Sequence, residues 1–275
     1  MSAERRSVAP ISRELLERVL ALVSDKMILV GGQALAFWAS YYGIPEPVAA
    51  ISKDADFIGV RDDVRRIAIG LKAAARYPHD RMKTSIVGRV ELDVSDTEYV
   101  HIDVLRQVYG DVSVEAVRAR SYEATRGSTT FRIMHPLDVL QGRLENVYGL
   151  KEKQDEHGIE QLKLAIGMVR AFVLEQGDAG SVDRERPIVL KHLQRIERMA
   201  LSDAGRKVAK RFGVHVADAM EFPRLLGHKD FVARKLPQIS GLMSAARIAE
   251  LRQSGTELPE PSPAPKKKSS GRTRP

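Results

Sequence analysis

The sequence predicts an α+β protein with an α/β front half and an all-helical back half. Short runs rich in valine and isoleucine alternate with helical patterns over roughly the first 134 residues, and helical patterns then continue from Pro136 almost to Glu250. A chain of 275 residues, 43% of them hydrophobic, is long enough to bury a sizeable core. We therefore expect three parts, at residues 1–134, 135–253 and 254–275.

The front half opens with an amphipathic pattern that predicts a helix from Ile11 to Ser24. The apolar run Met27 to Val30 is followed by two glycines and the helix-favouring stretch QALAFWASYY, which predicts a strand, a tight turn and a helix. Two prolines make GIPEPVAAISK a loop, and the apolar density of ADFIGV predicts a buried strand after it.

The rest of the front half is predicted to contain one helix and three strands. The helix runs from Asp62 to Arg76, with Asp62 or Asp63 placed to favour its N-terminus. Residues Thr84 to Val94 and Glu98 to Leu105 are rich in valine and isoleucine and are joined by a short polar loop, so they predict a β-hairpin. A last strand fits Thr129 to Met134.

The back half is predicted to be helical, with breaks near residues 177–181, Gly213 and Pro223. After it, the segment LPEPSPAPKKKSSGRTRP combines proline, serine and basic side chains with almost nothing to bury. Residues 254–275 are therefore expected to be disordered. This segment is either a solvated tail without a specific role or an arm that contacts nucleic acid, and the sequence does not distinguish the two.

The composition restricts the chemistry that the chain can perform. The absence of cysteine excludes disulfides, thiolate nucleophiles and Cys-ligated zinc, so a bound metal would have oxygen or imidazole ligands. The formal net charge of +8 indicates attraction to polyanions such as RNA, DNA and nucleotides. Residues 182–235 hold 13 Lys or Arg against 7 Asp or Glu, which fits either an RNA-binding face or a solvated basic face.

No stretch of the sequence approaches the about 20 uninterrupted apolar residues of a membrane span. The start, MSAERRSVAP, lacks an apolar signal core. We therefore expect a cytoplasmic protein with no membrane partner.

Two aspartates, Asp54 and Asp56, carry the main functional signal. Because they are two residues apart on a predicted strand, both carboxylates point to one face, about 7 Å apart at the Cβ level. Buried carboxylates this close repel each other unless cations neutralise them, and Mg²⁺ or Mn²⁺ prefers such oxygen ligands. The alternative is a structural role, in which the acids cap a helix or pair with Arg61 or Arg65.

A third carboxylate lies on another predicted strand. Asp103 stands in HIDVL, and an acid inside such an apolar run indicates a function. Asp93, in the valine-rich VELDV, is its rival, and we prefer Asp103. His101 is on the same strand face as Asp103, where we interpret it as a half-buried histidine and not as a ligand.

The glycine pair Gly31-Gly32 supplies the second half of the predicted site. Glycines let the backbone approach a phosphate closely, and a helix N-terminus offers free N–H groups and a positive dipole end. The alternative is a simple turn. The order of the glycine pair, the D-x-D motif and a third strand acid favours a site for phosphate and metal.

Three segments, ILVGGQALAFW, SKDADFIG and VHIDVL, resemble the polymerase-β-type nucleotidyltransferase superfamily, particularly its AbiEii-like toxin branch. The resemblance covers about residues 27 to 105. It implies a mixed sheet with flanking helices and a metal site formed by Asp54, Asp56 and Asp103. It also implies that Gly31 and Gly32 bind the β- and γ-phosphates of a nucleoside triphosphate.

A looser resemblance continues through HPLDVLQGRLENVYGLKEKQDEHGIEQL. The branch has a basic residue beside leucine and then a Lys-Asp or Arg-Asp element, for which Arg143 and Asp155 are the closest counterparts. Arginine replaces the usual lysine at 143, and the later element is interrupted by one residue. The resemblance implies that Arg143 or Lys151 stabilises charge on the phosphates. A surface pair of Asp138 with Arg143, and a merely charged connection at 151–155, are the alternatives.

The resemblance implies a metal-dependent enzyme that transfers a nucleotide from a nucleoside triphosphate and releases pyrophosphate. The expected acceptor is RNA, such as a tRNA end, or a protein hydroxyl. The expected biology is a toxin with a cognate antitoxin or regulator, or phage defence. Two other functions stay open: a catalytically idle fold that binds nucleic acid or a protein, and modification of a small molecule such as an antibiotic.

Overall fold

The computed structural model of the chain describes residues 6–50, 52–79, 81–110, 112–179 and 188–258. In these ranges eight strands form one mixed sheet. Helices flank the sheet, and all the regular elements described from Pro136 onward are helical. The predicted α+β class is therefore confirmed.

The strands are short, and several of them come from the first half of the chain: β1 (Ser7–Val8), β2 (Ile28–Val30), β3 (Ala55–Ile58), β4 (Ala74–Arg76), β5 (Ile86–Asp93), β6 (Glu98–Leu105), β7 (Tyr122–Arg126) and β8 (Thr129–Ile133). The longest described helix is α6, and the helices in chain order are α1 (Arg13–Leu20), α2 (Gly31–Tyr41), α3 (Arg61–Leu71), α4 (Val114–Arg120), α5 (Pro136–Gly149), α6 (Glu156–Ala179), α7 (Ile188–Leu201), α8 (Asp203–Phe212), α9 (Leu236–Ser240) and α10 (Ala245–Gln253).

The order of strands in the sheet is β4-β5-β6-β3-β2-β8-β7, and β1 pairs with β6 outside this path. The pairs β3–β6, β2–β8 and β1–β6 are parallel. The hairpins β5–β6 and β7–β8 and the pairs β2–β3 and β4–β5 are antiparallel. The strand β2, which leads to Gly31, and the strand β3, which carries Asp56, therefore lie in the middle of the sheet, where both faces are covered.

The centre of the sheet is built as the sequence predicted. All three residues of β2 are buried, as expected for a strand between two neighbours and under helices. The helix α2 follows immediately, and Gly31 and Gly32 are its first two residues instead of a separate turn before it. The Trp38 indole donates a hydrogen bond of 2.8 Å to the carbonyl of Met134, which fixes α2 against the end of β8.

The helix predicted from Asp62 to Arg76 is shorter in the structure. It ends at Leu71, and Lys72 adopts a left-handed conformation with φ of 53°. Residues 74–76 form β4, which pairs with β5 at the sheet edge. Asp63 favours the N-terminus as predicted, because its carboxylate accepts a 2.9 Å hydrogen bond from the backbone N–H of Val60.

The predicted hairpin is confirmed as β5 and β6, and the last predicted strand is β8. The sequence did not predict β1, α4 or β7. The segment β1 has only two residues, and β7, with the sequence YEATR, buries none of its side chains fully. Neither has the apolar alternation by which strands are recognised in a sequence.

The back half packs directly on the sheet half. Buried hydrophobic residues from Ala9 to Leu251 form one cluster, to which α2, α5 and α6 all contribute. The helix α6 ends at Ala179, within the expected break at residues 177–181, and residues 180–187 lie outside the described part of the chain. Gly213 ends α8 in a left-handed conformation with φ of 67°, and Pro223 begins a short 3-10 turn, as the sequence predicted. The boundary at 134 remains a prediction from composition.

The predicted disordered tail begins at residue 254, but its first residues are placed against the fold. The backbone N–H of Thr256 donates to the carbonyl of Leu251, and Leu258 packs on the core. The rest of the predicted tail, 259–275, lies outside the described residues. Among the helices that the structure describes, none has the length and apolar character needed to cross a membrane.

One buried carboxylate joins the two halves. Asp138, in the first turn of α5, is fully buried. Arg120 at the end of α4 donates two hydrogen bonds of 3.0 and 2.8 Å to it, and Arg195 of α7 forms a further ion pair with it. The predicted surface pair of Asp138 with Arg143 is therefore wrong, because two other arginines occupy this carboxylate.

Replacing Asp138 with alanine should destabilise the protein by about 3–5 kcal/mol, because removing one partner of a buried ion pair leaves the other charge uncompensated. Urea unfolding followed by circular dichroism measures this. As a control, Asp230→Ala removes a side chain that is 93% exposed, and it should change the unfolding free energy by less than about 0.5 kcal/mol. Equal stability of the two variants would contradict the structural role of Asp138.

Candidate functional site

The pairing of β3 with β6 brings the predicted acids together. These strands are parallel, and their register sets Asp56 directly beside Asp103. Neighbouring strands lie about 4.8 Å apart, so the two carboxylates emerge on the same face next to each other. The sequence predicted that Asp54 lies on the strand, but in the structure Asp54 is the residue immediately before β3.

The carboxylate of Asp54 is held by two neighbours. The Ser52 hydroxyl donates a 2.8 Å hydrogen bond to its Oδ1, and Nε2 of His101 lies 3.5 Å from its Oδ2. Burial pushes the pKa of Asp54 upward, but the hydrogen bonds from His101 and Ser52 outweigh burial and hold the pKa below its ordinary value. Asp54 is therefore a fixed negative charge.

The carboxylate of Asp56 has the opposite character. Burial raises its pKa to about 7, and the negative charges of Asp54 and Asp103 act in the same direction. The positive charges of Arg143 and His101 oppose the rise. A carboxylate in this position gains most from a nearby cation, because the cation removes the repulsion that opposes ionisation.

Asp103 is already neutralised by an arginine of the neighbouring strand. Arg89 on β5 donates two hydrogen bonds, from Nε at 2.7 Å and from Nη2 at 2.8 Å, to the two oxygens of Asp103. In the ranges that the structure describes, no three Asp, Glu or His side chains form a ready set of metal ligands. The Asp54 and Asp56 carboxylates are ligands of the kind that a hard divalent cation prefers, whereas both oxygens of Asp103 accept hydrogen bonds from Arg89.

The alternatives for the acids are distinguished by their neighbours. Asp93, the rival third carboxylate, pairs with Tyr99 in the hairpin, about 13 Å along the strand from Asp103, and forms an ion pair with Arg6. Arg61 stacks on Tyr77, and Arg65 lies 3.8 Å from Asp62, so neither pairs with Asp54 or Asp56. The geometry favours Asp103 over Asp93 as the third carboxylate of the site. It contradicts the alternative in which Asp54 or Asp56 pairs with Arg61 or Arg65.

Each glycine of the pair makes room for one part of the acidic site. Gly31 has a φ of +67°, and a Cβ atom there would overlap the Asp56 carboxylate. A Cβ atom at Gly32 would overlap the side chain of Ser52, which holds Asp54. The glycines therefore have a structural reason to be present, beside the predicted contact with phosphate, which stays a prediction.

Arg143 is the predicted basic residue that the fold brings to the site. Its Nη1 donates a 2.7 Å hydrogen bond to Oε1 of Gln161, and its buried Nε has no hydrogen-bond partner among the described residues. Burial lowers the pKa of Arg143, whereas the charges of Asp56 and Asp54 raise it. Arg143, Asp56 and Gly31 line one cavity of about 150 Å³. Its size suits a phosphate or a sugar, since complete ligand sites usually measure about 300–1,000 Å³.

The other two predicted nucleotide-binding residues lie elsewhere. Lys151 is exposed in a short 3-10 turn, and Asp155 accepts a 2.9 Å hydrogen bond from the backbone of Gly158 at the start of α6. Neither lines the cavity beside Asp56. Asp155 therefore has a capping role, and binding of nucleotide by Lys151 or Asp155 stays a prediction.

Several residues of the site were not predicted from the sequence. Ser52 stands two residues before Asp54, and its polar contact could have been inferred from the S-K-D-A-D order. Arg89 could have been found by counting back from the hairpin loop, which sets it opposite Asp103. Gln161 carries no such signal, because a glutamine in a helix gives no indication that it hydrogen-bonds both Arg143 and the carbonyl of Ala50.

Comparison with known proteins adds two distant similarities. No protein-family model and no curated protein matches the sequence. The chain is similar to a solved structure described as a putative nucleotidyltransferase from H. pylori, at 16% identity over 73% of this chain and 98% of that chain, with a TM-score of 0.29. It is also similar to JHP933 from Helicobacter pylori, at 14% identity over 73% of this chain and 89% of that chain, with a TM-score of 0.31. Likeness at this level decides neither fold nor activity, so function has to be inferred from the residues of this chain.

Gly31→Ala should lower the unfolding free energy by at least about 1–2 kcal/mol, because alanine is disfavoured at positive φ and its methyl group would displace Asp56. Urea unfolding measures the change. Gly167→Ala is the control, since Gly167 lies inside α6 with open space around its Cβ position, and it should gain about 0.5–1 kcal/mol. A neutral Gly31→Ala variant would show that Asp56 is not packed on this glycine.

In metal-free protein, Asp56 should make stability fall as the pH rises from about 4 to 7. The folded chain holds the Asp56 proton up to a pKa of about 7, whereas the unfolded chain releases it near the ordinary value of 3.8. Asp56→Asn removes this difference, so its melting temperature should exceed that of the unmodified protein at pH 8 by more than at pH 5. Thermal unfolding in EDTA tests this, and an equal offset at both pH values would contradict it.

Proposed function

We propose that this chain is a metal-dependent nucleotidyltransferase, in which Asp54, Asp56 and Asp103 form the acidic centre. The register of β3 and β6 is the observation that carries the proposal, because it sets Asp56 beside Asp103. Burial of Asp56 and the charges of Asp54 and Asp103 disfavour its ionised form and raise its pKa, so the arrangement destabilises the fold near neutral pH. An arrangement that is costly for stability and located at a cavity is typical of a functional site.

The proposed reaction moves a nucleotidyl group from a nucleoside triphosphate to a hydroxyl. The acceptor oxygen forms a bond to the α-phosphorus, and the bond from that phosphorus to the oxygen bridging to the β-phosphate breaks. Pyrophosphate leaves with the bond electrons, and the hydroxyl proton passes to water. Bound Mg²⁺ or Mn²⁺ would supply charge neutralisation at the phosphates and activation of the hydroxyl.

The protein residues would position and stabilise the reacting groups. Asp54 and Asp56 would hold the ion associated with the triphosphate, and Asp103 would help hold a second ion after release from Arg89. The freed Arg89 guanidinium and Arg143 would both face anionic oxygens, since both lie beside the carboxylates. The start of α2 at Gly31 would receive the β- and γ-phosphates, where backbone N–H groups and the helix dipole favour negative charge.

For the acceptor, we propose RNA, such as a tRNA end, or a protein hydroxyl. The net charge of +8 supports a polyanionic acceptor. We further propose that the chain acts as the toxin of a toxin–antitoxin or phage-defence system, on the basis of the family resemblance described above. A neighbouring gene for a small regulator would support this biology.

A second candidate is a catalytically idle fold that binds nucleic acid or a protein partner. The two hydrogen bonds from Arg89 to Asp103 favour it, because they satisfy the third carboxylate without any ion. In this case Arg89 would act as a permanent counter-charge. The two candidates differ in whether nucleotide transfer occurs at all.

Incubating the purified chain and Mg²⁺ or Mn²⁺ with each of the four NTPs, labelled at the α-phosphate, should label total RNA or total protein. Asp56→Asn and Asp103→Asn should reduce labelling by at least about 100-fold, a loss usual for one group that stabilises transition-state charge. Asp93→Asn is the matched control, since it changes an exposed aspartate of the same hairpin, and it should retain labelling.

If none of the four NTPs labelled RNA or protein, the proposed nucleotidyltransferase activity would be refuted. The catalytically idle fold would then be the remaining candidate. Equal labelling by the Asp56→Asn variant would also refute the assigned site. If Asp93→Asn lost labelling while Asp103→Asn retained it, Asp93 would be identified as the third carboxylate of the site.

A further inference from the structure

A second polar cavity lies away from the acidic centre. It measures about 560 Å³, and its walls come from the residues before and within α4, the start of α5 and one face of α7. Its volume is in the range of ligand sites, about 300–1,000 Å³. Gln141 of α5 faces this cavity, whereas Gly142, Arg143 and Asn146 of the same helix face the cavity beside Asp56. The two cavities are therefore on opposite sides of α5.

The face of α7 that lines this cavity is basic. Lys191, His192, Arg195 and Arg198 recur at helical spacing and point to one side. Neither Lys191 nor Arg198 forms an ion pair with a carboxylate that the structure describes, and both are exposed. These two side chains are free to bind an anion.

The cations of this cavity outnumber the acids that contact them. Arg120 and Arg195 share the single carboxylate of Asp138, while Lys191 and Arg198 have none among the described residues. Four formal positive charges therefore face one negative charge. Such an excess raises the local concentration of anions and lowers the free energy of a bound one.

The positive charges on the cavity wall lie close to one another. Burial lowers the pKa of Arg195, and the charges of Arg120 and Arg198 lower it further, whereas Asp138 opposes them. A bound anion would relieve this crowding of positive charge.

We propose that this cavity binds a phosphate group, held by Lys191 and Arg198 at the entrance and by Arg120 and Arg195 within. The phosphate belongs either to the backbone of an RNA strand or to a free phosphorylated compound. Arginine forks match pairs of phosphate oxygens, which favours phosphate over chloride, and four cations facing one carboxylate favour the larger charge of a phosphate over a second carboxylate. Binding here does not depend on nucleotide transfer at the acidic centre.

The test measures binding of a labelled 20-nucleotide single-stranded RNA to the full chain by fluorescence anisotropy, in EDTA and without NTP. The double variant Lys191→Gln/Arg198→Gln should bind roughly tenfold more weakly. The slope of log affinity against log salt should become shallower by about 1.4, as expected for two lost phosphate contacts to a single strand. Both substituted side chains are exposed, so the fold should be retained, and circular dichroism verifies this.

Lys229→Gln/Arg234→Gln is the matched control. It removes the same charge from exposed side chains in the same helical region, and Arg234 lines a different cavity on the other side of α7. Its RNA affinity should change by less than about twofold. An equal loss in both double variants would overturn the proposal, because attraction would then be diffuse and independent of the cavity.

A second arm uses inorganic phosphate and a nucleoside monophosphate, with binding measured by calorimetry. Binding of either compound that is lost in Lys191→Gln/Arg198→Gln, with RNA affinity unchanged, would assign the cavity to a free phosphorylated compound. No dependence of either ligand class on these two residues would overturn the proposal. Because no arm measures transfer, an inactive acidic centre leaves this inference intact, and an active one does not establish it.

Discussion

The burial of the Asp56 carboxylate beside two other carboxylates is the constraint on which the site depends. Once β3 and β6 pair in parallel, the Asp56 and Asp103 carboxylates stand side by side, with Asp56 at the edge of a cavity. The chain offsets this charge from several directions, with Arg89 from β5, His101 from β6 and Arg143 from α5. Because each counter-charge comes from a different element, the arrangement exists only when the sheet and the following helix are both folded.

Much of the sheet could be predicted from local sequence patterns. The strand before Gly31 is a fully buried apolar run, and the hairpin β5–β6 and the strand β8 are rich in the β-branched residues that favour strands. The edge strand β4 was missed because Ala74 to Arg76 have exposed side chains and continue the helical pattern of α3. A strand of this kind is held by hydrogen bonds to β5, and such pairing leaves no trace in hydrophobic periodicity.

The acidic site was predicted in its members but not in its contacts. Asp54, Asp56 and Asp103 carry a signal because carboxylates in apolar runs are costly. The pairing of Arg89 with Asp103 follows from the register of one hairpin, so it can be found by counting residues back from the hairpin loop. The pairing of β3 with β6 joins residues almost fifty positions apart, and neither a loop length nor a periodicity specifies it. Long-range register therefore limits what the sequence alone establishes about the site.

Gln161 shows how closely the long helix α6 is tied to the acidic centre. Its side chain accepts a hydrogen bond from Arg143 and donates one to the carbonyl of Ala50, in the loop that leads to Asp54. A fragment ending at Met134 would keep all three acids but lose Arg143, Gln161 and the support of that loop. The helical half is thus a structural part of the acidic centre, and a smallest autonomous unit of this protein would have to extend into α6. Exchanging the helical half for another module would also remove the arginine that faces the Asp54 and Asp56 carboxylates.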